Sequence, residues 1–204
     1  MLPANAKILI CPFCGGEKPV LQLLSGNIFG GTQWSDLKAE YPMLPRPSAV
    51  QKCPHCGKYY FLSNVDSKEG DDYSNELGEL TYAQIKEALI QFENDSLPTQ
   101  NEINLRLLFV YLYNDTFQRE YVSKDDKPTE EDKVLFRTQV VRLMQIWEME
   151  PLIMAELYRE IEEFDQCITL LDSMEIEDAF IQKIAEKVKE LAHKHETYAF
   201  LIEK

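Results

Sequence analysis

Cysteine spacing is the feature of this 204-residue chain that most directly indicates chemistry. Four of the five cysteines form two matching pairs, within residues 11–15 (CPFCG) and residues 53–57 (CPHCG), and Cys167 stands alone. Two cysteines separated by two residues can hold one metal ion, because the turn between them brings both sulfurs to the same side. The glycine after each pair suits the positive φ that such a turn tends to require. The four paired cysteines are therefore candidate metal ligands.

The repeated CPxCG pattern resembles that of the zinc ribbon, a family of small modules in which two knuckles on two β-hairpins clasp one ion. The resemblance implies that the zinc ligands are Cys11, Cys14, Cys53 and Cys56. Four thiolates close a tetrahedral shell, whereas a catalytic zinc keeps one position open, so we expect a structural ion. Runs typical of strands, residues 7–10 before the first pair and 58–62 after the second, agree with the two hairpins.

Residues 15–52, between the pairs, exceed the spacer of about 15–20 residues found in the simplest sites of this kind, so we expect extra strands or a loop there. The larger apolar residues of this spacer include Phe29, Trp34, Tyr41 and Met43. The favoured hypothesis makes them a small core over the ribbon, since small modules bury their few aromatic residues. The alternative is a binding surface, with Pro42, Pro45 and Pro47 available for proline-rich recognition. His55 is expected to face solvent, because four sulfurs already complete the shell.

Two other sulfur chemistries are alternatives to zinc. Residues 11–14 also resemble the redox pair of glutaredoxins, whose first cysteine lies at a helix N-terminus, but residues 15–19 (GGEKP) are a poor helix start. Rubredoxins share two CxxCG turns that bind iron, and residues 31–37 (GTQWSDL) are loosely similar to their interior segment. Iron is therefore the minor alternative to zinc. The first residues show no secretory signal, so we expect a cytoplasmic location with reduced thiols.

Glycine and charge divide the chain at the same place. All eight glycines lie within the first 78 residues, and glycine is common in turns and costly inside helices. Residues 1–66 hold six Lys and Arg against four Asp and Glu, hence +2, and the remainder holds 15 against 31, hence −16. The predicted fold class is α+β in two modules. We expect a zinc-ribbon-like domain at 1–66, an acidic linker at 67–79 and an all-α domain of helical hairpins at 80–204.

Apolar periodicity after residue 80 predicts six helices. A capping box in residues 81–84 (TYAQ) begins the first, and the second is apolar nearly all round, so it should be central and buried. A polar loop at 124–128 precedes a helix restart at 129–132. The predicted helices cover residues 81–94, residues 100–117, stretches beginning at 129 and at Pro151, the second helix of the hairpin described next, and residues 177–195.

Residues 154–174 (MAELYREIEEFDQCITLLDSM) resemble one tetratricopeptide repeat. Ala155 lies at a small-residue position of the first helix, Cys167 lies at one of the second, and Glu162 stands where the turn usually has glycine. The resemblance gives Cys167 a packing role. It covers about one repeat, and at least three are normally needed for a solenoid. The acidic run that includes Glu160 is expected to form solvated surface.

The sequence disfavours several classes of function. A net charge of −14 repels phosphate backbones, and the longest apolar run, residues 107–113, is far short of the roughly 20 residues needed to cross a bilayer. We find no phosphate-binding loop, no nucleophile elbow and no complete zinc-protease motif, because Ala199 stands where the second histidine after His195 is needed. No catalytic residue is therefore predicted.

The resulting hypothesis is a non-enzymatic zinc-binding adaptor whose helical region binds a protein or peptide. A nucleic-acid-binding ribbon is the second hypothesis, and a rubredoxin-like electron-transfer protein is the third. The order of the modules resembles that of bacterial proteins with an N-terminal CPxCG module, a resemblance that implies no activity.

Overall fold

The computed structural model describes residues 1–118 and 128–202, and within them short strands precede the helices. The strands are β1 (Leu2–Pro3), β2 (Lys7–Ile10), β3 (Glu17–Val20), β4 (Leu23–Ser25), β5 (Thr32–Gln33), β6 (Ala39–Glu40), β7 (Val50–Lys52), β8 (Tyr59–Phe61) and β9 (Ser67–Glu69). The helices are α1 (Tyr82–Gln91), α2 (Thr99–Gln118), α3 (Glu130–Ile146), α4 (Pro151–Glu160), α5 (Phe164–Asp172) and α6 (Ala179–His193). Small sheets and six helices are thus present in the described residues, as predicted. The loop predicted at 124–128 falls outside them except for its last residue.

The sheets are too small to form a substantial core. β2 lies between β3 and β9, with Leu9 opposite Lys18 on one side and Ser67 on the other. β7 pairs with β8, and β1 with β4 and β5 with β6 form two further two-stranded sheets. An isolated two-stranded hairpin is marginally stable at best in water. The strands therefore need stabilisation from elsewhere.

The chain divides into two compact units. The β-rich unit consists of Met1–Gly31 and Glu40–Leu105, and the helical unit consists of Thr32–Ala39 and Arg106–Lys204. This division differs from the boundaries expected from composition. The β-rich unit contains α1 and the segment expected as a linker, and the helical unit contains eight residues of the spacer between the cysteine pairs.

Helix α1 packs within the β-rich unit because its side chains pair with β8. The Gln91 side-chain amide accepts a hydrogen bond from the Tyr59 N–H (2.9 Å) and donates one to the Tyr59 carbonyl (2.7 Å). It thereby satisfies the backbone groups that a neighbouring strand would otherwise satisfy. Phe92, which follows the helix, packs on Phe61 with ring centroids 4.9 Å apart.

Residues 67–79 are hydrogen-bonded into the β-rich unit, although their composition is typical of a linker. Three of them form β9, and the Leu21 N–H donates to the Glu76 carbonyl at 2.7 Å. Gly78, at φ +64°, lies directly against the fully buried side chain of Gln51. Glycine and acidic residues suit turns and protected edge strands as well as linkers, so composition alone does not distinguish these structures.

Reciprocal capping boxes begin two of the helices at the predicted positions. Thr81 accepts from the Gln84 N–H, Thr129 accepts from the Asp132 N–H, and each partner side chain reaches back to the backbone of its threonine. Such caps satisfy backbone donors that have no partner inside the helix. The prediction of both helix starts is confirmed.

Aromatic stacking forms one part of the core of the helical unit. Tyr113 of α2 stacks on Phe136 of α3 with ring centroids 4.0 Å apart, and Phe109 lies 6.5 Å from the same ring. Every residue of α2 from Asn101 to Thr116 is buried or half-buried. Most of α2 is therefore shielded from solvent, as predicted, although more of its residues are half-buried than buried.

Small residues let the last three helices pack closely. Ala155 of α4, Cys167 of α5 and Ala192 of α6 are completely inaccessible to solvent and belong to one hydrophobic cluster. Burial raises the pKa of the Cys167 thiol to about 11. Cys167 thus has the packing role that was predicted for it.

The spacer segment Thr32–Ala39 is held in the helical unit by polar contacts. The Asp36 carboxylate accepts a hydrogen bond from the Asn114 amide at 2.9 Å, and Lys38 pairs with Asp115 at 2.6 Å. Ser35 and Phe200 exchange two hydrogen bonds of 2.9 Å each. The spacer therefore contributes to the fold of the helical unit as well as separating the cysteine pairs.

A buried ionic cluster lies in the helical unit. Arg159 is completely inaccessible and pairs with Glu156 through two hydrogen bonds of 2.9 and 2.5 Å. Glu160 is only 5% exposed, accepts from Asn114 at 3.2 Å through one oxygen, and has no hydrogen-bond partner in the structure for the other. The expectation that Glu160 forms solvated surface is wrong, because the helix turns its side chain toward the core with Asp36 and Glu156.

Replacing Gly78 with alanine should destabilise the protein. The added Cβ would lie 1.9 Å from Oε1 of Gln51, and positive φ costs a non-glycine residue roughly 1–2 kcal/mol. Gly30→Ala is the matched control, because Gly30 has φ +70° but no atom within 4 Å of the added Cβ. Urea denaturation should show a larger loss of unfolding free energy for Gly78→Ala than for the control. Equal losses would show that Gln51 moves aside without cost.

Replacing Glu160 with glutamine should make stability less dependent on pH. Burial, with the charges of Glu156 and Asp36, raises the pKa of Glu160 well above its usual range, and Arg159 and Asn114 oppose the shift only in part. The folded protein then keeps a proton that the unfolded chain releases, so stability falls as pH rises above about 4.5. Between about pH 5 and about pH 8 the melting temperature should fall less in the variant than in the wild type.

Glu162→Gln is the control for this experiment, because Glu162 is exposed two residues after Glu160, in the turn that follows α4. It should leave the pH dependence of the melting temperature unchanged. A Glu160→Gln profile that coincides with that of the wild type would contradict the prediction.

Candidate metal centre

The two cysteine pairs lie on equivalent turns at the ends of two hairpins, β2–β3 and β7–β8. In each turn the glycine N–H donates to the carbonyl of the first cysteine, Gly15 to Cys11 at 2.9 Å and Gly57 to Cys53 at 3.0 Å. The N–H of the first cysteine donates to the carbonyl five residues later at 2.9 Å in both turns. The two glycines have φ +71° and +74°, as predicted. One backbone geometry thus occurs twice and presents two sulfurs each time.

The structure brings the four predicted residues together. The Sγ atoms of Cys11 and Cys56 are 3.7 Å apart, as are those of Cys14 and Cys53. All four sulfurs lie within 4.8 Å of one another. A tetrahedral ion bound at about 2.3 Å would separate its sulfur ligands by about 3.8 Å. The sulfur cluster therefore has dimensions that fit a tetrahedral metal ion.

Both short sulfur–sulfur distances join one hairpin to the other. An ion at this point would therefore link β2–β3 to β7–β8 through four bonds. Across the described parts of the chain, 1–118 and 128–202, this is the one group of His, Cys, Asp and Glu side chains that could hold a metal ion. Four thiolates suit zinc and also iron.

Backbone hydrogen bonds favour the thiolate form of one cysteine. Burial raises the pKa of Cys53, but backbone hydrogen bonds from Cys56 and His55, with neighbouring thiols, lower it to about 6. The backbone hydrogen bond from Gly16 lowers the pKa of Cys14, but burial and three sulfur neighbours raise it to about 12. One thiolate thus forms readily and opposes the ionisation of another. A divalent cation removes this opposition, because it stabilises all four thiolates together.

Apolar residues cover the buried side of the cluster. Leu9, Val20 and Tyr60 pack with Cys11 and Cys53 in one hydrophobic group. Burial and the sulfur charges raise the pKa of Tyr60 to about 12, and its hydroxyl has no hydrogen-bond partner in the structure. The sequence predicts the strand that carries Tyr60, but it does not predict that Tyr60 covers the buried side of the sulfur cluster. Its position four residues after Cys56 is the signal that could have indicated it.

The outer side of the centre is open to solvent. Cys14 and Cys56 are exposed, whereas the first cysteine of each pair is buried. His55 is exposed as predicted, its ring packs over Gly16, and its Nε2 lies 3.1 Å from the Glu17 carbonyl oxygen. His55 therefore belongs to the surface of the second turn and is not part of the sulfur cluster.

The hypothesis of a small core over the ribbon is wrong for three of the four spacer residues, because two are exposed and Trp34 belongs to the helical unit. Phe29 is 79% exposed and Met43 is 39% exposed, whereas Trp34 and Tyr41 are half-buried.

Removing one ligand should abolish stoichiometric metal binding. In Cys53→Ser a hydroxyl replaces the thiolate that forms most readily, and metal binding by four thiolates contributes on the order of 10 kcal/mol to folding. Cys167→Ala is the control, because Cys167 lies in the helical unit. Metal content by mass spectrometry, with melting curves before and after chelation, should show loss of metal only for Cys53→Ser. Retention of one ion per chain in that variant would contradict the assignment.

Comparison of the chain with known proteins found no similar protein. No protein-family model, curated protein or solved structure matches the chain. Within the described residues, no helix combines the length and the apolar character that crossing a membrane requires. The functional conclusions therefore depend on the geometry of the sulfur cluster and on the packing inside each unit.

Proposed function

We propose that this chain is a non-enzymatic zinc-binding adaptor, in which a structural zinc ion is held by Cys11, Cys14, Cys53 and Cys56 and the helical unit binds a protein or peptide. The observation that carries the proposal is the closed set of four sulfurs shared by two hairpins. Four protein ligands leave no open position for a water molecule or a substrate, and open positions are what catalytic zinc sites have.

The structural role of the ion follows from the small size of the sheets. The strands of the β-rich unit are two to four residues long and pair in sheets of two or three, and such small sheets are marginal without further support. When bound, the ion supplies cross-links between the two turns. The chain's own contribution is to orient the sulfurs by the repeated turn and to keep water from Cys11 and Cys53 with Leu9, Val20 and Tyr60.

The helical part of the proposal rests on the pair α4 and α5. Their turn contains Glu162 at φ +66°, the conformation that glycine adopts easily at this position in tetratricopeptide-like hairpins. The small residues Ala155 and Cys167 are fully buried between the two helices, and α6 packs against both. We propose that these three helices form a tetratricopeptide-like unit.

The proposed partner-binding surface includes exposed apolar residues of α6. Phe180 and Ile181, in its first turn, are 42% and 36% exposed. Apolar side chains on a helical surface commonly receive the apolar face of a partner helix or peptide. We propose this end of α6 as part of the surface that the partner contacts.

Nucleic-acid binding is the weaker hypothesis, because acidic residues pair with several lysines of the β-rich unit. Lys52 lies 2.9 Å from Glu87, and Lys68 lies 2.6 Å from Glu17. Phosphate contacts by these lysines would compete with the carboxylates. The overall charge of −14 also disfavours the binding of nucleic acid, because it repels the phosphate backbone.

The proposal is tested by metal analysis followed by affinity capture. Protein purified without chelator should contain one zinc ion per chain. The same partner should then be captured by the wild type and by Gln182→Ser, but not by a Phe180→Ser, Ile181→Ser double variant. Iron with strong visible absorption would overturn the zinc assignment, and capture of no protein above background would overturn the adaptor role.

A further inference from the structure

Three segments of the β-rich unit expose large apolar side chains. These segments are Met1–Pro3, Leu23–Gly31 and Tyr41–Leu44, and together they are called the apolar loop face. Phe29 is 79% exposed and Leu24 68% exposed. The other large apolar side chains exposed on these segments include Leu2, Ile28 and Met43.

The three segments are joined by backbone hydrogen bonds and close contacts. Leu2 pairs with Ser25 across β1 and β4. The Asn27 N–H donates to the Met43 carbonyl at 3.3 Å, and Gly26 lies so close to that carbonyl that a Cβ there would be 2.3 Å from its oxygen. The three segments of the apolar loop face are therefore held together as an ordered part of the β-rich unit.

The conformation of the apolar loop face exposes its apolar side chains and provides hydrogen-bond partners for its backbone N–H groups. The Phe29 N–H donates to the Asn27 side chain at 3.0 Å, and the Gly31 N–H donates to the Ile28 carbonyl at 3.1 Å. Gly30 takes φ +70° between them. These bonds form a closed turn with Phe29 at its tip.

The summed exposed apolar area is at the upper end of the range for the largest patch of a typical monomer. A fully exposed large apolar residue presents on the order of 200 Å². At their observed exposures, Leu2, Leu24, Ile28, Phe29 and Met43 present roughly 600 Å². The largest apolar patch on a typical monomer is about 300–600 Å², and a standard interface buries about 800 Å² per partner, including its polar rim. The apolar loop face has most of the area that one half of a stable interface needs.

Charge indicates which partner the face accepts. Residues 1–6, 18–31 and 41–48 contain no Asp or Glu, and Lys18 and Arg46 are their only charged side chains. The chain as a whole carries −14, so two copies repel each other through most of their residues. Because these segments carry no carboxylates of their own, two copies can touch through them without pairing negative side chains of the segments.

We propose that the apolar loop face is a self-association surface whose occupant is the same face of a second copy. Two copies related by a two-fold axis would bury Phe29 and Leu24 of each against the other, in a contact that closes on itself. The inference goes beyond the adaptor function and does not depend on the metal or on the partner of the helical unit.

The test is the molar mass of the full-length, metal-loaded protein over a range of concentrations, measured by sedimentation velocity and light scattering. The wild type should form a species of twice the chain mass of 23.7 kDa. A Leu24→Ser, Phe29→Ser double variant should dissociate at concentrations at least about tenfold higher than the wild type, because it loses the two most exposed apolar side chains of the face. Both residues are exposed, so metal content should not change, and the melting temperature should fall only by what the lost association contributes.

Ile90→Ser is the matched control. Ile90 belongs to the same unit and is 71% exposed on α1, outside the apolar loop face. This variant should dimerise like the wild type. A wild type that is monomeric up to about 100 μM, or a dimer weakened equally by both sets of substitutions, would overturn the proposal. Capture of a different protein through Leu24 and Phe29 by a monomeric wild type would also overturn it, and the proposed function of the helical unit would stand.

Discussion

Convergence of four sulfurs at the ends of two short hairpins is the constraint on which the β-rich unit depends. Each hairpin alone would be marginal in water, and their strands have too few residues to cover one another. The buried first cysteine of each pair belongs to the same apolar group as Leu9, Val20 and Tyr60. The sulfur cluster is therefore continuous with part of the core of this unit, and the charge on the thiolates is what a divalent cation would balance.

Chain segments beyond the cysteine turns complete each unit. Residues 67–79 add a third strand beside β2, and α1 satisfies the backbone of Tyr59 with the side chain of Gln91. The segment Thr32–Ala39 belongs instead to the helical unit, where it meets Asn114 and Asp115. The long spacer between the cysteine pairs thus has two different structural roles. Part of it forms the apolar loop face, and part of it is packed in the other unit.

Buried charge distinguishes the helical unit from a simple hydrophobic bundle. Arg159 is fully enclosed and holds Glu156 while donating to the backbone carbonyls of Glu196 and Tyr198. Because desolvating an arginine is costly, such a group persists only where its donors are satisfied. It fixes the chain after α6, and burial beside Glu156 and Asp36 raises the pKa of Glu160.

The sequence by itself determined the starts of two helices and which four cysteines lie together. Repeated CPxCG turns identified the four sulfurs, capping residues located the starts of α1 and α3, and apolar periodicity predicted the central helix α2, because each of these signals is local. Tertiary structure decided what depends on long-range contacts: the pairing of α1 with β8, the burial of Glu160 and the exposure of Phe29. Composition predicted instead that α1 belongs to the helical domain, that Glu160 is exposed and that Phe29 is buried. It failed because the burial of a residue depends on which segments pack beside it and not only on its own type.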